Sequence, residues 1–165
     1  SCAKMRAAPR PRPPDALGMQ PPDAAAVAGR DVWLVHPWSL GALPHRLPAE
    51  ALVLGIFVAD FHRAWPWSAR RWAFVGARMA ELTAQRWHGD AAAIGHALQV
   101  ARSVRCVDEP HLAPWLPRWA LCEPQPALFM PVDRCCNSFS QWWSRVTRGH
   151  DTAAALLAAS QQPAC

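Results

Sequence analysis

The chain has 165 residues with a formal net charge of +5, and 52% of the residues are hydrophobic. This length and composition predict one globular domain with a single core. The longest apolar stretch, Ala51–Ala59, is too short to span a membrane. No secretory signal opens the chain, so we expect a cytoplasmic protein without membrane contact. The basic charge permits DNA contact through phosphates, but a solvated basic surface is the favoured interpretation.

Residues 1–29 are predicted to form a flexible leader rich in proline and arginine. Prolines recur in Arg10–Pro14 and again at Pro21 and Pro22. Proline lacks a backbone N–H and interrupts both helices and strand ladders. The segment has no apolar periodicity, so it is not expected to pack a core. We therefore predict one α/β domain over residues 30–165.

Five short segments are predicted to be strands: Val32–His36, Ala51–Val58, Gln85–Trp87, Ser103–Val107 and Trp119–Cys122. The second is apolar almost throughout, which is typical of a strand buried on both faces of a parallel sheet. Helical segments alternate with the strands, and such alternation requires right-handed crossovers. The pattern predicts an α/β fold with a doubly wound, Rossmann-like, five-stranded parallel sheet in the order 3-2-1-4-5.

The best-defined helix follows Ser68, whose hydroxyl is suited to cap free amides of the first turn. Trp72, Val75, Met79 and Leu82 then recur at three- and four-residue steps, which predicts one buried stripe. Further helices are predicted after Asp90, within His111–Leu116, over Phe139–Arg148 behind a Ser138/Gln141 capping box, and from Asp151 through Ala159.

The six cysteines and ten tryptophans are interpreted as structural residues. Cys106 and Cys122 lie in apolar runs, as buried free thiols do. The chain has no C-x-x-C pair with matching histidines, so no metal site is predicted, and reduced thiols fit the cytoplasm. Trp72 is assigned to the core, and Trp142 and Trp143 to helix packing.

Four residues are predicted to line a ligand site where the strand order reverses. His36 and Trp38 follow the first strand, and Asp108 and Glu109 follow the fourth. A crevice opens at such a switch point, where Trp38 offers a stacking face and the carboxylates accept ring N–H groups. The alternative is that the two acids only cap the following helix. With neither a glycine-rich phosphate loop nor G-x-S-x-G, no catalytic residue is assigned.

Several local segments, taken in order, resemble the N-terminal α/β domain of the photolyase/cryptochrome family. They are Ser68-Ala-Arg-Arg-Trp-Ala-Phe-Val, Trp87-His-Gly-Asp, Asp108-Glu109-Pro110, Phe129-Met-Pro-Val and Asn137-Ser-Phe-Ser-Gln-Trp-Trp, within Asp31 to Arg145. The resemblance implies a scaffold for an antenna pterin or flavin. It also implies that FAD and the repair chemistry belong to a separate helical domain, so the isolated chain is expected to have neither FAD nor activity.

We therefore expect a photolyase-related α/β domain without the flavin domain. It would bind a small aromatic or nucleotide-like ligand, or else a partner protein or a second copy of itself. A partner-binding module would expose an apolar patch around Trp142 and Trp143. The alternative is a small Rossmann-like nucleotide-binding or universal-stress-type protein, against which the missing glycine-rich phosphate loop argues.

Overall fold

The computed structural model describes residues 17–125, 132, 134–150, 152 and 154–155. The chain divides into two compact units, residues 1–124 and 125–165. The first unit holds all the strands described, and the second holds one described helix of two turns. Asp151, the predicted start of the last helix, lies outside the described residues.

The first unit is built on one parallel sheet. Its strands are β1 (Asp31–Val35), β2 (Leu52–Val58), β3 (Arg86–Gly89), β4 (Ser103–Val107) and β5 (Leu121–Glu123). All neighbouring strands pair in parallel, in the order β3-β2-β1-β4-β5. The predicted α/β class, the five parallel strands and their order are confirmed, and the bounds shift by no more than a residue or two.

Six helices precede, connect or follow these strands in the described chain. They are α1 (Ala24–Val27), α2 (Ala59–Ala64), α3 (Ala69–Leu82), α4 (Ala91–Leu98), α5 (Leu116–Trp119) and α6 (Phe139–Val146). The sequence pattern predicted α3, α4 and α6, whereas the short α1 and α2 were missed. The predicted helix over His111–Leu116 is wrong. A 3-10 turn at Pro110–Leu112 and then α5 take its place, since Pro114 prevents a continuous helix.

Helix α3 packs as its periodicity predicts. Ser68 Oγ accepts a hydrogen bond from the Arg71 backbone N–H at 3.3 Å. Trp72, Val75 and Met79 are buried on one face. Met79 lies over Gly55 of β2, where a Cβ would come within 2.5 Å of the Met79 sulfur. Glycine at that position therefore permits the close approach of α3 to the sheet.

Helix α4 shows a cap that the sequence did not indicate. Asp90 occupies the N-cap position, as predicted, but its carboxylate binds Arg63 at 2.6 Å. Asp60 from α2 instead accepts the Ala91 backbone N–H at 2.6 Å. The first turn of α4 is therefore held by α2, which follows β2 directly.

Part of the segment predicted as a flexible leader lies against the sheet. Gln20 forms a parallel bridge with Trp87 at the outer edge of β3. The Gln20 N–H donates to the Arg86 carbonyl at 2.8 Å, and the His88 N–H donates to the Gln20 carbonyl at 2.9 Å. Val27 in α1 is fully buried. These contacts cover the backbone groups of an edge strand, which would otherwise invite pairing with another chain.

The connection from β1 to β2, residues 36–51, contains no α-helix. A parallel crossover usually carries one, which covers a face of the sheet. Pro37, Pro44 and Pro48 interrupt this connection and explain its turns. The Arg78 side chain on α3 donates to the Leu40 carbonyl at 3.0 Å and fixes part of it.

Candidate ligand site at the carboxyl edge of the sheet

The loops after β1 and β4 are neighbours, as the strand order predicts. β1 pairs with β2 on one side and with β4 on the other, so the order reverses at β1. His36 and Trp38 follow β1, and Asp108 and Glu109 follow β4. The fold therefore brings both predicted loops to the same edge of the sheet, where a crevice is expected.

His36 links the ends of the two strands. It is fully buried. Its Nε2 lies 2.9 Å from the Val107 carbonyl oxygen, and its Nδ1 lies 3.3 Å from the Trp38 backbone nitrogen. A carbonyl only accepts, so Nε2 carries the proton and Nδ1 accepts. Burial lowers the pKa of His36, which keeps this ring neutral. Both nitrogens bind within the protein, so His36 positions Trp38 instead of facing a ligand.

Trp38 lies in a cluster of rings at this edge. Its indole stacks on the His111 imidazole, with centroids 4.9 Å apart and planes within 6°. Phe61 and Trp67 meet Trp38 edge-on, at 5.0 and 5.9 Å between centroids. One stacking face of Trp38 is therefore occupied by another ring of the chain, and that ring carries an N–H group.

Glu109 completes this arrangement from the β4 side. Only 3% of its surface is exposed. Its Oε1 accepts the His111 backbone N–H at 3.1 Å and also pairs with His111 Nδ1. Burial raises the pKa of Glu109, but the hydrogen bonds from His111 outweigh burial, and the net pKa is lowered. Glu109 is therefore ionised at neutral pH, and it caps the 3-10 turn as the alternative interpretation anticipated.

Asp108 has a different position from its neighbour. It is exposed, and its Oδ1 accepts the Glu109 backbone N–H at 2.9 Å. Its own backbone N–H donates to the Glu123 carbonyl at 2.6 Å, next to the end of β5. These bonds fix the loop that presents Glu109.

Sequence reasoning missed His111, Phe61 and Trp67 at this site. His111 was placed inside a helix, whereas the 3-10 turn directs its ring onto Trp38. The spacing Glu109-Pro110-His111 was the available signal, since an N-cap acid can bind the residue two positions on. Phe61 lies on the unpredicted α2, and Trp67 precedes the cap of α3.

A second group of buried rings adjoins Trp67. His62 lies 4.4 Å from both Trp67 and Trp72 between ring centroids. Burial, together with the electrostatic effect of His88 and Arg71, lowers the pKa of His62 to about 3. Over the described ranges, His62 Nδ1 and Trp72 Nε1 are buried and have no hydrogen-bond partner. The ring of His62 is therefore neutral and incompletely satisfied.

The second unit, described by itself, has one well-defined helix, α6. Ser138 Oγ accepts the Gln141 backbone N–H at 3.2 Å, and Gln141 Oε1 accepts that of Asn137 at 3.1 Å. Phe139 is 71% exposed and Trp143 is 43% exposed. A protein-interaction module was expected to expose apolar surface near Trp143. The exposed aromatic side chains of α6 are consistent with that alternative.

Two cysteines face each other across β4 and β5. The sulfurs of Cys106 and Cys122 are 3.7 Å apart as free thiols, and burial raises the pKa of Cys106. Within the described ranges, no cluster of three or more His, Cys, Asp or Glu residues is arranged to hold a metal ion. None of the helices searched in that part of the chain has the length and apolar character to cross a membrane.

Comparison with protein-family models, curated proteins and solved structures gives no match.

Proposed function

We propose that this chain is a photolyase-related α/β domain that binds a flat heterocycle bearing ring N–H groups. The ligand class is that of an antenna pterin or flavin, and its place is between Trp38 and Glu109. One observation carries the proposal: the His111 imidazole already makes both contacts. It stacks on Trp38, and its Nδ1 pairs with the buried Glu109 carboxylate.

The chemistry of this arrangement favours exchange of one ring for another. The His111 side chain is 56% exposed, so it can leave the crevice without a large loss of buried surface. Glu109 Oε1 already accepts a ring N–H from His111, so an incoming ring N–H group can take over that hydrogen bond when the imidazole moves away. The lowered pKa of Glu109 keeps it an acceptor at neutral pH. His111 thus acts as an internal competitor of the ligand.

A fluorescence titration tests this proposal, with lumichrome and biopterin as probes. Stacking on an indole quenches such probes, so binding appears as loss of probe emission. His111→Ala is expected to bind at least one probe about tenfold more tightly than wild type, since a charge-assisted hydrogen bond is no longer displaced. The double variant Trp38→Ala/Glu109→Gln is expected to abolish binding while its circular dichroism spectrum stays unchanged.

Trp65→Ala provides the matched control, because Trp65 is 68% exposed and makes no ring contact with Trp38 among those described. It is expected to bind like wild type. The proposal fails if His111→Ala binds neither probe at millimolar concentration. It also fails if the Trp38/Glu109 double variant binds as well as His111→Ala does.

A further inference from the structure

A second concave surface lies over the face of the sheet formed by β1, β4 and β5. Because the β1–β2 connection has no helix, an irregular, proline-rich segment covers this face in the part of the chain that the structure describes. A cavity of about 260 Å³ lies between the segment and the sheet. None of the four residues predicted for the carboxyl-edge crevice lines it.

The cavity has an apolar part and a charged part. Pro44, Leu47, Pro48 and Ala51 from the connection, together with Trp33 of β1, form the apolar part. The charged part is formed by Asp31, Arg46, Ser103, Arg105 and Glu123. The size is close to the lower end of small-molecule sites, which also combine apolar walls with a few polar groups.

The sheet register explains why charged residues from three strands meet here. Asp31 pairs with Ser103, and Trp33 pairs with Arg105. Arg105 in turn pairs with Leu121, so Glu123 lies two residues further along the same face of β5. Parallel neighbours at one register position point to the same side, which places these groups around one space.

The two carboxylates in the cavity are already neutralised. Asp31 binds Arg102 and accepts a hydrogen bond from Ser103 Oγ at 2.6 Å. Glu123 is 15% exposed at its side chain and pairs with Arg46 through one oxygen and with Arg105 through the other. The distance from Arg105 Nη2 to Glu123 Oε1 is 2.6 Å.

Two arginines on one carboxylate leave an excess of donors. Each guanidinium has five N–H groups, and contact with Glu123 uses only part of each set. The side chains of Arg46 and Arg105 are 68% and 44% exposed, so both can reorient. Guanidinium groups pair with carboxylates through two parallel hydrogen bonds, which gives both strength and direction.

We infer that this cavity binds a small organic carboxylate with an apolar body. Its carboxylate would pair with Arg46 and Arg105, and its apolar body would lie against Trp33 and the prolines of the connection. Glu123 pairs with both arginines and therefore competes with the ligand for them. A cationic ligand is disfavoured, because both acids already have arginine partners.

Calorimetric titration with indole-3-acetate and octanoate tests this inference, with indole-3-acetamide as the uncharged control. At least one carboxylate is expected to bind, and the amide is expected to bind about tenfold more weakly than indole-3-acetate. Arg105→Gln and Arg46→Gln are each expected to weaken binding several-fold. Arg70→Gln, on the exposed start of α3, is the matched control and is expected to leave binding unchanged.

Glu123→Gln gives the most discriminating result. It removes the internal competitor, so binding is expected to become several-fold tighter, whereas a purely structural role for Glu123 would make it weaker. Thermal melts of every variant verify folding. The inference is overturned if neither carboxylate binds at millimolar concentration, if the amide binds equally well, or if Glu123→Gln weakens binding in a protein that melts like wild type.

Discussion

Replacement of Trp72 by alanine probes the packing of α3 on the sheet. Trp72 is fully buried. Its ring centroid lies 4.4 Å from that of His62, 5.1 Å from Trp67 and 5.3 Å from Phe57. Deleting it therefore leaves a cavity beneath three other rings.

The expected change in the free energy of unfolding combines the loss of a buried ring with the removal of an unpaired N–H group. Removing a large buried aromatic side chain typically costs about 3–5 kcal/mol. Among the described residues, the Trp72 indole N–H has no partner, and an unpaired buried donor costs about 1–3 kcal/mol. The substitution relieves that penalty, so we expect Trp72→Ala to lower the free energy of unfolding by about 3 kcal/mol, at the lower end of the range. Trp72→Phe keeps a ring without the N–H and is expected to cost about 1 kcal/mol.

Urea unfolding followed by far-UV circular dichroism measures both variants. Trp65→Ala is the control at an exposed tryptophan and is expected to stay within about 0.5 kcal/mol of wild type. A cost for Trp72→Ala below about 1 kcal/mol would refute the assignment of Trp72 to the core. A cost for Trp72→Phe above about 2 kcal/mol would refute the argument from the unpaired N–H, because phenylalanine keeps a ring and removes that group.

Four further outcomes are expected. His62 has a folded-state pKa of about 3 against an ordinary value of 6.5, so stability should fall as the pH drops from 6.5 towards 3, and His62→Gln should flatten that slope in pH-dependent urea unfolding. Hydrogen bonds from Arg102 and Ser103 lower the pKa of Asp31 from 3.8 to about 2, so its contribution should be lost between those values, and Asp31→Asn should remove that loss. Ser68→Ala should lower the free energy of unfolding by about 1 kcal/mol in the same assay, because α3 loses its cap. The purified chain should not reverse pyrimidine dimers under blue light, and chromatographic detection of repaired thymine would show otherwise.

The fold could be predicted where local pattern and burial agree. The nearly continuous apolar run of β2 indicated a strand covered on both faces, and it lies between β1 and β3 in the sheet. Ser68 was identified as a cap because the bond it makes spans only three residues. Alternation of strands and helices then limited the topology to few choices, and the order 3-2-1-4-5 was among them.

Features that depend on distant partners could not be predicted in this way. Asp90 is an ordinary N-cap residue by sequence, yet Arg63 takes its carboxylate and Asp60 caps α4 instead. Gln20 lies in a proline-rich segment without periodicity, and its order depends on the edge of β3, far along the chain. Such contacts leave no local signal, because the residues involved are polar and occur singly.

The candidate site was predicted in position and only partly in composition. Trp38 was expected to offer a stacking face and Glu109 a hydrogen-bond acceptor. In the structure one ring stacks on Trp38 and also pairs with Glu109. That ring belongs to His111, whose orientation follows from a 3-10 turn that propensity does not distinguish from a short helix. His36 was expected to face the ligand, whereas both of its nitrogens bind the backbone.

A crystal structure of His111→Ala with lumichrome would show whether Trp38 and Glu109 form a ligand site. We expect a ring stacked on Trp38 with a ring N–H within hydrogen-bond distance of a Glu109 carboxylate oxygen. The His36 bond to the Val107 carbonyl should be unchanged. A ring bound elsewhere, or an empty crevice closed by side chains in crystals soaked at saturating lumichrome, would show that Trp38 and Glu109 do not bind such a ring.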